Sequence, residues 1–99
     1  MKKTEETLQE KNITKKQLLH VAFELSNSNW KLGFSDGDKM RFKSINARNL
    51  EQLEEEIEKA KSRFRLDDDV RIVSCYEAGR DGFWLHRYLL SHGIENIVV

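Results

Sequence analysis

Three short stretches of alternating apolar and polar residues, joined by turns too tight for a crossover, limit this 99-residue chain to a sheet that begins antiparallel. Leu19, Val21, Phe23 and Leu25 alternate with His20, Ala22, Glu24 and Ser26, the period of a strand. Asn27-Ser28-Asn29 reads as a turn, because Asn tolerates left-handed backbone angles. Trp30, Leu32 and Phe34 then alternate with Lys31, Gly33 and Ser35, and Asp36-Gly37-Asp38 makes a second turn. Met40, Phe42 and Ile45, set against Arg41 and Lys43, give a third strand. Residues 1–17 are polar and mixed in charge and read as a flexible arm, which leaves 18–99 as the folding unit.

The period then changes. Leu50, Leu53, Ile57, Ala60 and Phe64 recur at three and four residues, which predicts a helix with one apolar stripe. Asn49 is placed to cap it, with Gln52 three residues on. Glutamates load its first half and Lys59, Lys61, Arg63 and Arg65 its second, as the helix dipole favours; the run reads as a solvated face. Val70, Ile72 and Val73, continuing through Ser74-Cys75-Tyr76, are apolar at both parities and predict a buried parallel strand, with Cys75 a small buried hydrophobe. Asp81 marks the start of a second helix with Trp84, Leu85, Tyr88 and Leu89 inward, and Gly93 stops it. Ile94 to Val99 is a final buried strand. The order β-β-β-α-β-α-β predicts an α/β fold with a mixed sheet. Periodicity leaves open whether the fourth strand lies outside the third or beside the first.

Composition narrows the function. Lys+Arg and Asp+Glu number 17 each, so any nucleic-acid contact must come from a local patch. One cysteine excludes an internal disulfide and suits a reducing, cytoplasmic compartment. No apolar run approaches the ~20 residues that cross a bilayer, so no membrane partner is expected. His20, His86 and His92 share no helix face, there is no glycine-rich phosphate loop, and a kinase-like or actin-like ATPase reading fails for want of one.

Two carboxylates remain. Glu24 stands late in the first strand between Phe23 and Leu25, and Glu77 ends the apolar fourth strand. Both occupy places where the pattern predicts burial, and buried charge is costly unless paired or bound to metal. If the fourth strand lies beside the first, the two converge at the carboxyl ends of the strands, where α/β folds gather ligands. Paired Glu oxygens suit Mg²⁺ or Mn²⁺ and phosphoryl transfer. Lys31, Arg41 and Lys43, read as sharing the polar side of strands two and three, would with Arg80 hold nucleic-acid phosphates. Asp67-Asp68-Asp69 lies at the other end of the fourth strand, ~25 Å from Glu77 at ~3.3 Å per residue, and reads as a polar loop.

The segment Cys75-Tyr76-Glu77-Ala78-Gly79-Arg80-Asp81-Gly82-Phe83-Trp84-Leu85-His86-Arg87, with Gly93-Ile94 and Ile97-Val98-Val99, resembles the insertion-sequence-110 family of transposases, the DEDD-type, Piv-like DNA recombinases. Val21-Ala22-Phe23-Glu24-Leu25-Ser26 and Trp30-Lys31-Leu32 resemble their first strand and hairpin, so the likeness covers roughly 18–99. It implies an RNase H-like domain of the RuvC type, sheet order 3-2-1-4-5, ending after the fifth strand. It also implies four acidic residues that bind divalent metal for DNA strand cleavage and exchange. Glu77 matches the second of them; Glu24 occupies the first, where most members carry Asp. The other two, and a C-terminal domain with a Ser nucleophile, are expected beyond Val99. The resemblance further implies DNA as substrate, a guide RNA, a homo-oligomer and a bacterial source. An inactive transposase fragment is therefore expected, self-associating through a bare sheet face or the edge of the final strand. The competing expectation is a non-catalytic RNase H-like module for nucleic-acid binding or assembly.

Overall fold

The computed structural model describes residues 17–79 and 82–99. Five strands and two helices alternate as β1 (Leu18–Leu25), β2 (Asn29–Ser35), β3 (Met40–Asn46), α1 (Leu50–Arg63), β4 (Arg71–Tyr76), α2 (Trp84–Ser91) and β5 (Glu95–Val98). The sheet runs β3-β2-β1-β4-β5, with β1–β2 and β2–β3 antiparallel and β4 parallel to both β1 and β5. This is the order 3-2-1-4-5, and it resolves what periodicity left open: β4 lies beside β1. Of the polar arm, residues 1–16 lie outside the described residues; the Gln17 side-chain oxygen accepts the Asp67 N–H at 3.0 Å.

Local chemistry accounts for the element ends. The Asp36 carboxylate accepts the N–H groups of Asp38 and Lys39 in the β2–β3 turn, at 2.9 and 2.7 Å. Those bonds hold its pKa below the ordinary value. Asn49 caps α1 by accepting the Gln52 N–H at 3.0 Å, whereas the Gln52 side chain reaches back past Asn49 to the Asn46 N–H. At the other end Leu66 N–H bonds Lys61 O and Arg65 N–H bonds Ser62 O, a Schellman closure that puts Arg65 at φ 58°. The second helix begins at Trp84 rather than near Asp81, which itself lies outside the described residues. Gly93 closes it at φ 76°, as expected.

Both helices pack on one face of the sheet. Leu19, Val21, Phe23, Trp30, Leu32, Phe34, Ile45, Ile72 and Tyr76 point to them and meet Leu53, Ile57, Ala60, Phe64, Leu85 and Leu89 in one core. The opposite face carries no helix among the described residues, and this changes two expectations. Cys75 is exposed rather than buried, and β5 is half-covered, with Ile97 and Val99 in contact with solvent. A strand that is apolar at both parities expects cover on both faces; here only one is covered.

Tyr76 ties β4 to α2. Its hydroxyl donates to Gly82 O at 2.8 Å and accepts the His86 N–H at 3.1 Å. The N-cap residue Phe83 makes no side-chain capping bond, and the buried Tyr76 hydroxyl takes up the His86 amide of the first turn from outside the helix. Ser74, Asn96 and His86 add a second link through hydrogen bonds of 2.7 and 2.9 Å.

Candidate nucleic-acid and metal-binding face

The strand registers lay the uncovered face out as rows. Ser44 pairs with Lys31 and Lys31 with Glu24. The β1–β4 register pairs Ala22 with Cys75, so carried two residues on it sets Glu24 opposite Glu77. Val99 donates to Tyr76 O and accepts from Ala78 N, which makes it the partner of Glu77 on the next strand. One row thus reads Ser44, Lys31, Glu24, Glu77, Val99. The next reads Phe42, Gly33, Ala22, Cys75, Ile97, and the third Met40, Ser35, His20, Val73, Glu95. A polar row at the carboxyl end of β1 and β4 therefore borders an apolar one.

Glu24 and Glu77 share a face, a row and a pair of adjacent strands, and both are exposed. The expectation that they occupy buried positions is corrected: each falls at the solvent parity of its strand, so no desolvation cost demands a partner there. Among the described residues neither carboxylate makes an ion pair or a side-chain hydrogen bond. Two exposed carboxylates fit a hard divalent cation, since Mg²⁺ is commonly held by one or two of them with water and phosphate oxygens completing the shell. No group of three or more His, Cys, Asp or Glu side chains is placed to hold a metal among the described residues.

The cations do not form the shared patch expected of them. Lys31 lies on the open face directly across from Glu24. Arg41 pairs with Phe34 and Lys43 with Leu32, which puts both on the helix side of β3. Arg41 is nearly buried there and donates from Nη1 to Glu56 Oε1 at 3.1 Å. Lys43 is exposed at the sheet edge, and Arg80 lies outside the described residues. Ile45 accounts for the difference, because it is the buried residue of β3 and shares its parity with Arg41 and Lys43. Met40 and Phe42 have the other parity and stand on the open face, 65% and 70% exposed. Their odd spacing from Ile45 was the sequence signal for that.

A groove of ≈ 340 Å³ runs beside Glu24, lined by Lys31, Gly33, Phe42, Lys43 and Ser44 among others. At the far end of the face Arg71 donates from Nη2 to Glu95 Oε1 at 2.8 Å. This bond raises the Arg71 pKa and lowers that of Glu95. That ion pair occupies the charged end remote from Glu24 and Glu77. No helix among the described residues is long and apolar enough to cross a membrane.

No family model matches the chain. Over 86 aligned residues it is 36% identical to "Putative transposase y4rJ" of Sinorhizobium fredii (strain NBRC 101917 / NGR234). The alignment takes in 82% of this chain and 22% of that relative, so the chain spans about a fifth of the length of the protein it matches.

Proposed function

We propose that this chain is part of a DNA transposase and that Glu24 and Glu77 form the first half of its divalent-metal site. The observation that carries this reading is their common row on the uncovered face, at the carboxyl ends of adjacent strands β1 and β4. Similarity to a protein named as a transposase and the strand order 3-2-1-4-5 both support it. The finer assignment, to the insertion-sequence-110 family with an RNase H-like, DEDD-type site, rests on the Tyr76-Glu77-Ala78-Gly79 segment and on Glu24 standing at the first acidic position.

In this reading the chain's own residues bind and orient. Glu24 and Glu77 present carboxylate oxygens from two neighbouring strands whose hydrogen-bonded ladder fixes their spacing. Lys31, opposite Glu24, sets a positive charge beside them for a phosphate oxygen of the DNA. The Tyr76 bonds to Gly82 O and the His86 N–H tie the end of β4, next to Glu77, to the start of α2. A bound Mg²⁺ or Mn²⁺ would stabilise charge on the scissile phosphate and lower the pKa of an attacking water. The two remaining carboxylates, the guide RNA and the oligomeric assembly belong to the longer protein in this proposal.

The test is made in a full-length transposase containing this segment. Glu24→Gln and Glu77→Gln should each abolish strand cleavage and transposition while leaving DNA binding intact. Transposition at the parental rate in both variants would instead favour a non-catalytic nucleic-acid-binding or assembly module.

A further inference from the structure

The C-terminal end of α2 holds a cluster that neither the core nor the metal reading uses. Tyr88, on α2, donates its hydroxyl to Glu54 Oε2 on α1 at 2.6 Å. His92, which ends α2, lies against the Tyr88 ring with centroids 4.2 Å apart and planes tilted by 34°. Its Nδ1 stands 3.0 Å from Tyr88 O, and its Nε2 stands 3.9 Å from the same Glu54 oxygen that Tyr88 bonds. The two helices thus meet at one carboxylate oxygen, with a hydroxyl already on it and an imidazole just short of it.

The proton positions follow from the partners. A carbonyl oxygen only accepts, so Nδ1 carries the proton in its bond to Tyr88 O. Ser91 Oγ, 3.1 Å from Nδ1, does not supply a proton instead, because its hydroxyl donates to Tyr88 O at 2.7 Å. A neutral His92 ring therefore turns a bare lone pair on Nε2 toward the Glu54 carboxylate, acceptor against acceptor. Proton uptake at Nε2 supplies the missing donor, and closing the gap by about 1 Å makes a charge-assisted hydrogen bond. The positive charge then faces a carboxylate, lies on the π-face of Tyr88 and sits at the carbonyl end of a helix, and each of these favours it. Other charges near the cluster do not oppose it. On α1, Glu51 and Glu58 lie one turn either side of Glu54, and Glu58 is held by Lys61 at 3.0 Å. On α2, Arg87 is in register with Ser91 rather than with Tyr88 and His92. Glu95 of β5 is engaged by Arg71 on the open face of the sheet.

We infer that His92, Tyr88 and Glu54 form a proton-operated latch between α1 and α2, closed when His92 is protonated and released as the ring loses its proton. The latch holds the C-terminal end of α2, the helix whose first turn is tied through Tyr76 to the strand end beside Glu77. It is a property of the helix layer and stands apart from the metal and transposase readings.

The experiment is a double-mutant cycle on the 99-residue chain, His92→Gln against Glu54→Gln, by urea unfolding at about pH 5.5 and about pH 8.5, either side of the imidazole titration. Glu54→Gln keeps an acceptor for the Tyr88 hydroxyl and removes only the charge. At the lower pH the two positions should be coupled about threefold in the folding equilibrium, the scale of an ion pair close to half exposed. At the higher pH the coupling should disappear. Ring ¹⁵N shifts of His92 should show the proton on Nδ1 alone at the higher pH and on both nitrogens at the lower. Neither side chain is buried, so the variants should fold as the parent does. Coupling that is equal at the two pH values, or absent at both, overturns the latch, as does a neutral ring protonated at Nε2.

Discussion

Arg41 and Glu56 meet between β3 and α1, Nη1 to Oε1 at 3.1 Å, with side chains only 12% and 9% exposed. Lys59 stands 3.6 Å from the other Glu56 oxygen but is itself largely in solvent, so it cannot replace the guanidinium. Removing one partner of a nearly buried pair leaves the other charge uncompensated. Arg41→Ala should therefore destabilise the fold by about 3 kcal/mol in urea unfolding, whereas Arg41→Met with Glu56→Leu should recover most of the loss. A single variant as stable as the parent would show that the pair carries no weight.

That pair also marks the limit of what the sequence made legible. Strand and helix order followed directly from period, because Leu19-Val21-Phe23 and Trp30-Leu32-Phe34 each bury one parity, and the Leu53-Ile57-Ala60-Phe64 stripe buries one helix face. Asn49 and Gly93 acted as expected at the helix ends, since their roles depend on neighbours within a few residues. The orientation of β3 runs against its composition, because that strand has one buried anchor, Ile45, while Met40 and Phe42 stand at the opposite parity. Cys75 and the last strand depart from the pattern for another reason. Apolar residues at both parities report that a strand can be covered twice, not that the chain in hand covers it. For the site, the common face of Glu24 and Glu77 depended on β4 pairing with β1, a long-range choice that local pattern does not encode.

Tyr76 links the strand that ends before Glu77 to the start of α2. Tyr76→Phe keeps the ring contacts with Phe23 but leaves Gly82 O and the His86 N–H without the hydroxyl. A loss of about 1–2 kcal/mol is expected. Amide exchange should speed up at His86 more than at Leu53, in the middle of α1. Unchanged exchange at His86 would show that the hydroxyl does not cap the helix.

Tyr88 gives the fold an alkaline limit. Partial burial, with a 2.6 Å hydrogen bond donated to Glu54 Oε2, pushes its pKa up from 10.0 to about 12. The folded state holds this proton more tightly than the unfolded chain, so the stabilisation is complete below pH 10 and is lost as pH rises through about 12. The Tyr88 ¹³Cζ resonance should titrate near that upper value, and the fall in unfolding free energy across this window should shrink in Tyr88→Phe. A midpoint at 10 would contradict the contact.

Two carboxylates leave most of a metal's shell to water. The chain alone should therefore nick supercoiled DNA no faster than buffer in Mg²⁺ or Mn²⁺. Robust turnover would show that the catalytic set is complete within these 99 residues.

The most direct test of the central claim is paramagnetic broadening of backbone amide signals by substoichiometric Mn²⁺. If Glu24 and Glu77 act together, broadening should centre on residues 24–25 and 77–78 and vanish in the Glu24→Gln, Glu77→Gln double variant. Broadening centred instead on Asp67-Asp68-Asp69, or unchanged in that variant, would contradict a shared metal site.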